Sequence, residues 1–264
     1  MIPKIFLLTL LLLATSTKYI YAELQSQVID YMDGDTVLEG YIVYDDNFNG
    51  KRPGIMVVHE WTGLGPYEKM RADQLAKLGY VALAADIYGK GIRPNAREEA
   101  SKQAGIYRNN RQLMRNRAKA GIVQLKKHPL VNNKDVAAIG YCFGGGVVLE
   151  LARSGADVQG VVSFHGNLDT PHPEDARTIK AKVLVLHGAD DPHVPSEQIN
   201  SFKKEMGSAG VDWQIISYQN AVHSFTNPSS GNDPSKGATY NEKADKQSWS
   251  DMLTFFRKIF LNFS

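Results

Sequence analysis

The sequence Gly-Tyr-Cys-Phe-Gly-Gly-Gly at residues 140–146 constrains this chain more than any other stretch. The apolar residues 136–139 before it predict a buried strand, and the mainly apolar residues 147–152 after it predict a helix. A nucleophilic side chain flanked by glycines between a strand and a helix is typical of a nucleophile elbow, here with a sulfur in place of a serine hydroxyl. Only glycines let the strand and the helix pass that closely. Cys142 is therefore a candidate nucleophile at the end of a sheet.

The composition is that of an ordinary globular protein. Hydrophobic residues make up 43% and charged residues 22% of the 264 residues, which excludes disordered and collagen-like classes. This length suits one large α/β domain. The net charge of +2 is small, and the basic stretch at residues 108–127 has no interleaved stacking aromatics. We interpret that stretch as the solvated face of a helix and expect no nucleic-acid partner.

The N-terminus has the pattern of a secretory signal peptide. Lys4 supplies a positive charge, residues 5–14 are apolar apart from one threonine, and Ala22 ends a suitable cleavage site. The apolar run is too short to span a bilayer comfortably. We predict a signal peptide at residues 1–22 and a mature domain at residues 23–264, exported to the periplasm or secreted, without stable membrane insertion. An uncleaved membrane anchor is the alternative.

Export changes the meaning of the single cysteine. In an oxidising compartment cysteines normally pair, and Cys142 has no second cysteine to pair with. A free cysteine is most often buried and inert. The glycine-flanked turn around Cys142 favours a reactive thiol instead.

Strand and helix signals alternate along the rest of the chain. They predict an α/β fold with a mostly parallel central sheet and helices on both faces. The predicted strands are residues 27–32, 38–43, 54–59, 80–84, 136–139, 158–164, 181–186 and 212–218. The predicted helices are residues 67–78, two helices within 96–127, 147–152, 196–209 and 242–261. Ser196 is the expected cap of its helix and Gly210 its stop, whereas the composition of residues 227–237 predicts a loop.

Three residues stand at successive strand ends in the order of a catalytic triad. Cys142 follows one strand, Asp191 a later one and His223 the last. Nucleophile, acid and base occur in this order in α/β-hydrolases. The acid orients the histidine, and the histidine serves as the base. Order and placement together predict a Cys142–Asp191–His223 triad.

Each member of the triad has an alternative interpretation. Asp191 could simply initiate a turn, and Asp190 could be the acid instead. His223 could be an ordinary loop histidine. His187 and His193 lie near the two aspartates, but no third ligand has suitable spacing for a metal site. We therefore expect neither a metal nor another cofactor.

The segment His-Glu-Trp-Thr-Gly-Leu-Gly at residues 59–65 follows a strand that normally supplies one backbone N–H to an oxyanion hole. The backbone N–H groups of Trp61 and Phe143 are the candidate donors, and one such donor is typically worth about 3–4 kcal/mol. Glu60 places a carboxylate at the same strand end, where it should lie close to the elbow. Its alternative interpretation is a solvated loop residue or a helix cap.

These stretches together resemble the dienelactone hydrolase family of α/β-hydrolases, over most of the chain from residue 27 to the last helix. The matching segments are residues 57–64, 79–89, 140–145, 191–195 and 223–225. The resemblance implies that Cys142, Asp191 and His223 form the family's triad and that Glu60 is its glutamate that contacts the cysteine. It also implies hydrolysis of a small carboxylic ester or lactone through an acyl-thioester intermediate.

The resemblance further implies a dormant thiol. In the free enzyme the thiol is expected to be neutral and turned away, until substrate binding frees Glu60 to take its proton. His223, oriented by Asp191, would then serve the proton transfers that hydrolyse the acyl-enzyme. A dormant thiol would resist oxidation outside the cytoplasm better than an exposed thiolate.

The sequence departs from the family at the substrate-binding positions. The dienelactone enzymes bind a substrate carboxylate with two arginines, and this chain has Lys90 and Asn227 in their places. Lysine keeps the charge but loses the bidentate fork, and asparagine loses the charge. Arg93 could compensate. We expect these three residues to bind substrate, and we expect an ester or lactone other than dienelactone.

Two alternatives to an ester hydrolase remain open from the sequence. A thioesterase or acyl transferase could use the same site, and a non-catalytic binding protein could share the fold. The complete triad and Glu60 favour an enzyme. The sequence does not identify the substrate, and we expect a monomer.

Overall fold

One central sheet organises the computed structural model, which describes residues 24–260. Its strands are β1 (Leu24–Asp33), β2 (Thr36–Asp45), β3 (Arg52–Val58), β4 (Val81–Ala85), β5 (Val131–Tyr141), β6 (Gly160–Phe164), β7 (Lys182–Gly188) and β8 (Trp213–Tyr218). They lie in the order β1-β2-β4-β3-β5-β6-β7-β8. The β1–β2 hairpin pairs antiparallel with β4, and the strands from β4 to β8 run parallel. The predicted signal peptide at residues 1–22 lies outside the described residues.

Helices cover both faces of this sheet. They are α1 (Pro66–Ala76), α2 (Arg97–Arg108), α3 (Arg111–Lys126), α4 (Phe143–Arg153), α5 (Ser196–Ala209) and α6 (Glu242–Ile259). Helices α1 and α6 pack on one face, and α2 to α5 pack on the other. The predicted mostly parallel sheet with helices on both faces is confirmed. No helix within residues 24–260 is both long enough and apolar enough to cross a membrane.

Strand β3 shows why the central strands are continuous apolar runs. Ile55 and Val57 contribute to the core under α1 and α6, and Met56 and Val58 contribute to the core on the opposite face. All four side chains are fully buried. Because side chains alternate along a strand and both faces are covered, all four of these positions have to be apolar.

Two local predictions differ from the structure. Ser196 is not the cap of α5, because Pro195 occupies the N-cap position and no side chain caps the helix there. Gly210 does end α5, in the left-handed conformation with φ of 69°, as predicted. The predicted loop at residues 227–237 contains two short 3-10 turns, Pro228–Ser230 and Pro234–Lys236.

The basic stretch at residues 108–127 is not simply a solvated helix face. Arg115 and Arg117 are each only 8% exposed. Arg115 forms an ion pair with Glu150, and Arg117 forms one with Asp33. The prediction of a solvated face is wrong for these two residues, because both guanidinium groups tie α3 to neighbouring elements.

The turn between β5 and α4 leaves no room for side chains beside the cysteine. A Cβ atom on Gly140 would overlap the carbonyl oxygen of Gly144, the second residue of the helix. A Cβ atom on Gly144 would overlap the carbonyl oxygen of Val58 at the end of β3. Cys142 itself has a positive φ of 52°, which is uncommon for a residue with a side chain. The predicted elbow is therefore present as a turn held by backbone-to-backbone contact.

We expect Gly140→Ala to lower the free energy of unfolding by roughly 3 kcal/mol or more, because the clash is with backbone atoms that cannot rotate away. Gly146→Ala is the matched control within the same segment. A Cβ at Gly146 meets the Asn167 carbonyl oxygen at 3.5 Å and the Asn167 Cβ at 4.0 Å, both ordinary contacts. Since alanine favours a helix interior over glycine by about 0.5–1 kcal/mol, this control should be neutral or stabilising. Urea denaturation measures both, and equal stability of the two variants would contradict the steric account.

Candidate active site

The candidate residues collect where the parallel strands end. Trp61 follows β3, Cys142 follows β5 and His223 follows β8. Carboxyl ends of parallel strands meet at one edge of the sheet, which is where open α/β folds bind ligands. A cavity of about 340 Å³ opens there. Its lining residues are Trp61, Arg97, Arg108, Cys142, Asn167, His193, His223, Ser224, Lys236 and Ala238.

Asp191 and His223 form a buried hydrogen-bonded pair. The His223 Nδ1 atom lies 2.8 Å from the Asp191 Oδ2 atom. The other carboxylate oxygen of Asp191 accepts the backbone N–H of His193 at 2.8 Å, which fixes the carboxylate. Asp190, the alternative acid, has an exposed side chain. The geometry therefore joins His223 to Asp191 as the chain order predicted.

The Cys142 side chain lies within hydrogen-bonding reach of His223. Because Nδ1 of the ring is bound to Asp191, the Nε2 atom is the one that faces the sulfur. Burial alone would lower the pKa of His223, but the Cys142 thiolate and the Asp191 carboxylate outweigh it and raise this pKa to about 10. The His223 ring is therefore placed to take up the proton of the Cys142 thiol.

The family resemblance implied a thiol that is turned away from the base. In the structure the Cys142 side chain instead interacts with His223. Glu60 does not hold it either. Among the described residues, the Glu60 carboxylate makes its hydrogen bond with Asn227, through Nδ2 to Oε2 at 2.6 Å. The second oxygen, Oε1, is buried without a partner. Among the described residues no hydrogen bond joins Glu60 to Cys142, whereas Cys142 interacts with His223.

The environment of Glu60 favours its protonated form. Burial, with the negative charge of Glu68 as the second cause, raises the pKa of Glu60 to about 7, and the hydrogen bond from Asn227 offsets part of this rise. Glu68 is held in place because its carboxylate accepts the backbone N–H groups of Glu60 and Gly65, at 3.0 and 2.9 Å. Glu60 can therefore gain or lose a proton near neutral pH.

The two candidate oxyanion donors are free to act. Within the described residues, neither Trp61 nor Phe143 uses its backbone N–H in a hydrogen bond. Phe143 is the first residue of α4, where the N–H groups have no partner inside the helix. The Tyr88 hydroxyl donates to the Trp61 carbonyl oxygen at 2.9 Å and so fixes the loop after β3. The close approach of Gly144 to β3 brings this loop against the first turn of α4.

The three residues expected to bind substrate lie outside the cavity lining. Lys90 pairs with Asp30 at 2.5 Å on the surface, and Arg93 pairs with Glu39 at 3.3 Å. Asn227 uses its side chain to hold Glu60 and to accept the Ser229 backbone N–H at 3.0 Å. Their expected role as direct substrate ligands is therefore not supported by this geometry.

Sequence reasoning missed the cations that do line the cavity. Arg97, Arg108 and Lys236 are among the lining residues, and no carboxylate is among them within the described part of the chain. Arg108 donates to the Asn167 side-chain oxygen at 3.3 Å, and its guanidinium lies over the Phe143 ring. Arg97 and Arg108 are the first and last residues of α2, so whole helical turns separate them and they share one face. The spacing of Arg97 and Arg108 indicates a shared helix face only when the bounds of α2 are known.

Two further histidines lie against His223. The rings of His165 and His193 are centred 5.2 and 5.1 Å from the His223 ring, both near edge-to-face. His165 is fully buried. No group of three or more metal-binding side chains within residues 24–260 could hold a metal ion.

Comparison with known proteins gives a consistent result. The sequence profile of the dienelactone hydrolase family matches residues 38–260. A solved dienelactone hydrolase-like promiscuous phosphotriesterase from metagenomic libraries is 39% identical, with a TM-score of 0.85 over 90% of this chain and 99% of that chain. A carboxymethylenebutenolidase candidate from Yersinia pestis is 27% identical over 83% of both chains. A 2-oxo-3-(5-oxofuran-2-ylidene)propanoate lactonase candidate from Bradyrhizobium sp is 25% identical over 87% of this chain and 94% of its own.

We expect the charge on Glu60 to destabilise the fold as the pH rises. Its pKa is higher in the folded state than in the unfolded chain, so the free energy of unfolding falls between about pH 4.5 and 7. Glu60→Gln removes this loss. Relative to the wild type, the variant should gain about 3 kcal/mol of stability between pH 4 and pH 8, since each pKa unit corresponds to about 1.4 kcal/mol.

Denaturant unfolding at several pH values measures this difference. The matched control is Glu98→Gln, because Glu98 is an exposed residue near the start of α2. A difference between Glu60→Gln and wild type that stays constant with pH would show that Glu60 is not protonated on folding.

Proposed function

The chain belongs to the dienelactone hydrolase family and is a carboxylic-ester hydrolase, and we propose that it cleaves esters or lactones through an acyl-thioester on Cys142. The observation that carries this proposal is the connected set Asp191–His223–Cys142 at the floor of a cavity, with 2.8 Å between the acid and the base. Nucleophile, base and orienting acid are the parts that covalent acyl transfer needs.

In the proposed first half-reaction, the Cys142 thiolate attacks the substrate carbonyl carbon. Negative charge then develops on the carbonyl oxygen, where the unpaired N–H groups of Trp61 and Phe143 can stabilise it. The imidazolium of His223 donates its proton to the departing alkoxide. In a lactone the departing oxygen stays attached to the acyl chain, so the whole substrate remains on the enzyme.

In the second half-reaction, His223 takes a proton from water, and the water attacks the thioester carbonyl. Asp191 keeps the His223 ring in the orientation that both steps need. The sulfur then leaves, and the carboxylic acid product is released. The same two steps with an alcohol or a thiol in place of water would be acyl transfer, which is why the acceptor has to be tested directly.

We assign Glu60 an electrostatic part in this reaction. Its carboxyl group interacts with the charge of His223, which is one of the causes that lower the pKa of Glu60. An ionised Glu60 therefore favours the imidazolium, and an imidazolium favours the ionised Glu60. Asn227 holds the carboxylate so that this interaction has a fixed geometry.

The lining of the cavity supports a substrate that carries a negative charge. Arg97 and Arg108 line the space near Cys142 and form no ion pair among the described residues, whereas Lys236, on the same lining, lies 4.0 Å from Asp233. Two arginines without a carboxylate partner attract an anionic group and raise its local concentration. We therefore propose an ester or lactone with a carboxylate substituent, bound from α2 and the loop after β8 rather than by Lys90 or Arg93.

One second activity has a specific observation in its favour. The solved relative with 39% identity is described as a promiscuous phosphotriesterase. A thiolate with two oxyanion donors can also attack phosphorus, so a neutral phosphotriester belongs in the substrate panel. Export of the chain, with residues 1–22 as a signal peptide, remains our proposal from the sequence.

We expect Cys142→Ala and His223→Ala to lower kcat/KM for p-nitrophenyl esters and small lactones by roughly a thousandfold or more, because each removes a group that reacts directly. His172→Ala is the control, since His172 is an exposed histidine. Intact-mass analysis during turnover should detect an acyl adduct on the wild type. Unchanged turnover by Cys142→Ala would overturn the thioester mechanism and favour a binding protein or another nucleophile.

We expect Arg108→Gln to act on charged substrates only. For the p-nitrophenyl monoester of succinic acid, kcat/KM should fall about tenfold, which corresponds to about 1.4 kcal/mol. For p-nitrophenyl butyrate, which has a similar length and no charge, it should change little. Lys90→Gln is the matched control and should leave both values unchanged. A loss with Lys90→Gln but not with Arg108→Gln would return the anion site to the position expected from the sequence.

A further inference from the structure

His165 links the backbone of the candidate nucleophile to the loop that carries the candidate base. It follows β6 and has a positive φ of 40°, uncommon for a residue with a side chain. Its own backbone N–H donates to the Leu186 carbonyl oxygen at 2.8 Å, which holds this conformation. The ring is fully buried. Strained backbone at a residue held by several contacts is a pointer to function rather than an accident of packing.

The first link runs from the ring to the elbow. The backbone N–H of Cys142 donates to the His165 Nδ1 atom at 3.1 Å and is shared with the Phe164 carbonyl oxygen at 3.0 Å. An Nδ1 atom that accepts a hydrogen bond carries no proton, so the ring is neutral with its proton on Nε2. Burial, together with the positive charge of His223, holds the pKa of His165 well below its usual value, consistent with a neutral ring.

The second link runs from the ring to the loop after β8. The protonated Nε2 atom donates to the Thr226 Oγ1 atom at 2.7 Å. Thr226 is itself fixed, because its hydroxyl pairs with the Tyr67 hydroxyl at 2.7 Å and its carbonyl oxygen accepts from Arg71 at 2.6 Å. Both Tyr67 and Arg71 lie on α1, so this loop is anchored to a rigid helix.

The loop so anchored carries the residues that surround the thiol. His223 comes three residues before Thr226, and Asn227, which holds Glu60, comes directly after it. The His165 ring also packs near edge-to-face on the His223 ring, at 5.2 Å and 65°. His165 therefore contacts both the backbone of the nucleophile and the ring of the base.

Resting on the proposed function, we propose that His165 is a positioning residue that sets the alignment of the Cys142 sulfur with His223 by bonding the elbow N–H and the Thr226 hydroxyl with the two nitrogens of a neutral ring. The ring keeps its Nε2 proton and transfers no proton during the reaction. Substrate contacts only the cavity lining, from which His165 is absent, so its loss should affect the chemical step and leave substrate binding unchanged.

Three substitutions separate the effects of the two hydrogen bonds that the His165 ring makes. His165→Asn keeps an acceptor for the Cys142 N–H, because asparagine Oδ1 lies the same number of bonds from Cα as histidine Nδ1. His165→Phe keeps the ring volume and removes both bonds. Thr226→Val removes the hydroxyl that receives the second bond, and it serves if His165→Phe does not fold. Circular dichroism and thermal unfolding establish which variants are folded.

We expect folded His165→Phe to lose at least tenfold in kcat for a p-nitrophenyl ester, with KM within about threefold of wild type. His165→Asn should recover most of that loss, and Thr226→Val should fall between the two. A purely structural role would not be rescued by the smaller asparagine. Wild-type kcat in folded His165→Phe, or an asparagine variant as slow as the phenylalanine one, would overturn the proposal.

Alkylation by iodoacetamide gives a readout that needs no substrate. The chain has one cysteine, so the label reports on Cys142 alone. Misalignment with His223 should reduce the thiolate fraction, and labelling of His165→Phe at neutral pH should slow at least fivefold while His165→Asn stays near wild type. If Cys142→Ala retains activity, the proposed function fails. If Cys142→Ala is inactive while His165→Phe matches wild type in both assays, only the role of His165 fails.

Discussion

The contact on which the site depends is the one between two pieces of backbone. The first turn of α4 passes so close to the end of β3 that a single methyl group on Gly144 would overlap the carbonyl oxygen of Val58. This approach places the loop after β3, with Trp61, against the N-terminus of α4, with Phe143. It also forces Cys142 into its positive φ. Main-chain packing therefore positions both the oxyanion donors and the nucleophile.

Much of the fold could be predicted from the sequence because its signals are local. The buried parallel strands are apolar runs, α5 ends at Gly210, and the glycines of the elbow leave few alternatives. The order of Cys142, Asp191 and His223 along the chain indicated which strand ends lie together at the candidate site. Ser196 failed as a cap because Pro195 supplies the extended residue before α5. Which residue occupies the N-cap position depends on the direction in which the chain enters the helix. Residue type alone does not determine that direction.

The pairing of charges could not be predicted, because it depends on which distant elements become neighbours. Lys90 looked like a substrate ligand from its place after a strand, yet its charge is used by Asp30 across the β1–β2 hairpin. Arg115 looked solvated within a basic stretch, yet it is buried against Glu150 of α4. The hydrogen bonds of His165 could not be predicted because its two partners lie on other strand-end loops. In each case the decisive distance joins residues far apart in the chain.

The loop after β8 holds the base by main-chain bonds on both sides. The His223 N–H donates to the Gly237 carbonyl oxygen at 3.2 Å, and its carbonyl oxygen accepts the Thr239 N–H at 2.9 Å. The neighbouring Lys236 and Ala238 form one wall of the cavity. Outward movement of that wall would also move the His223 imidazole away from the Cys142 sulfur. A substitution that changes the preferred acyl group is therefore least disruptive to the site on the opposite wall, along α2. A side chain there can change in size or charge while the reacting groups keep their positions.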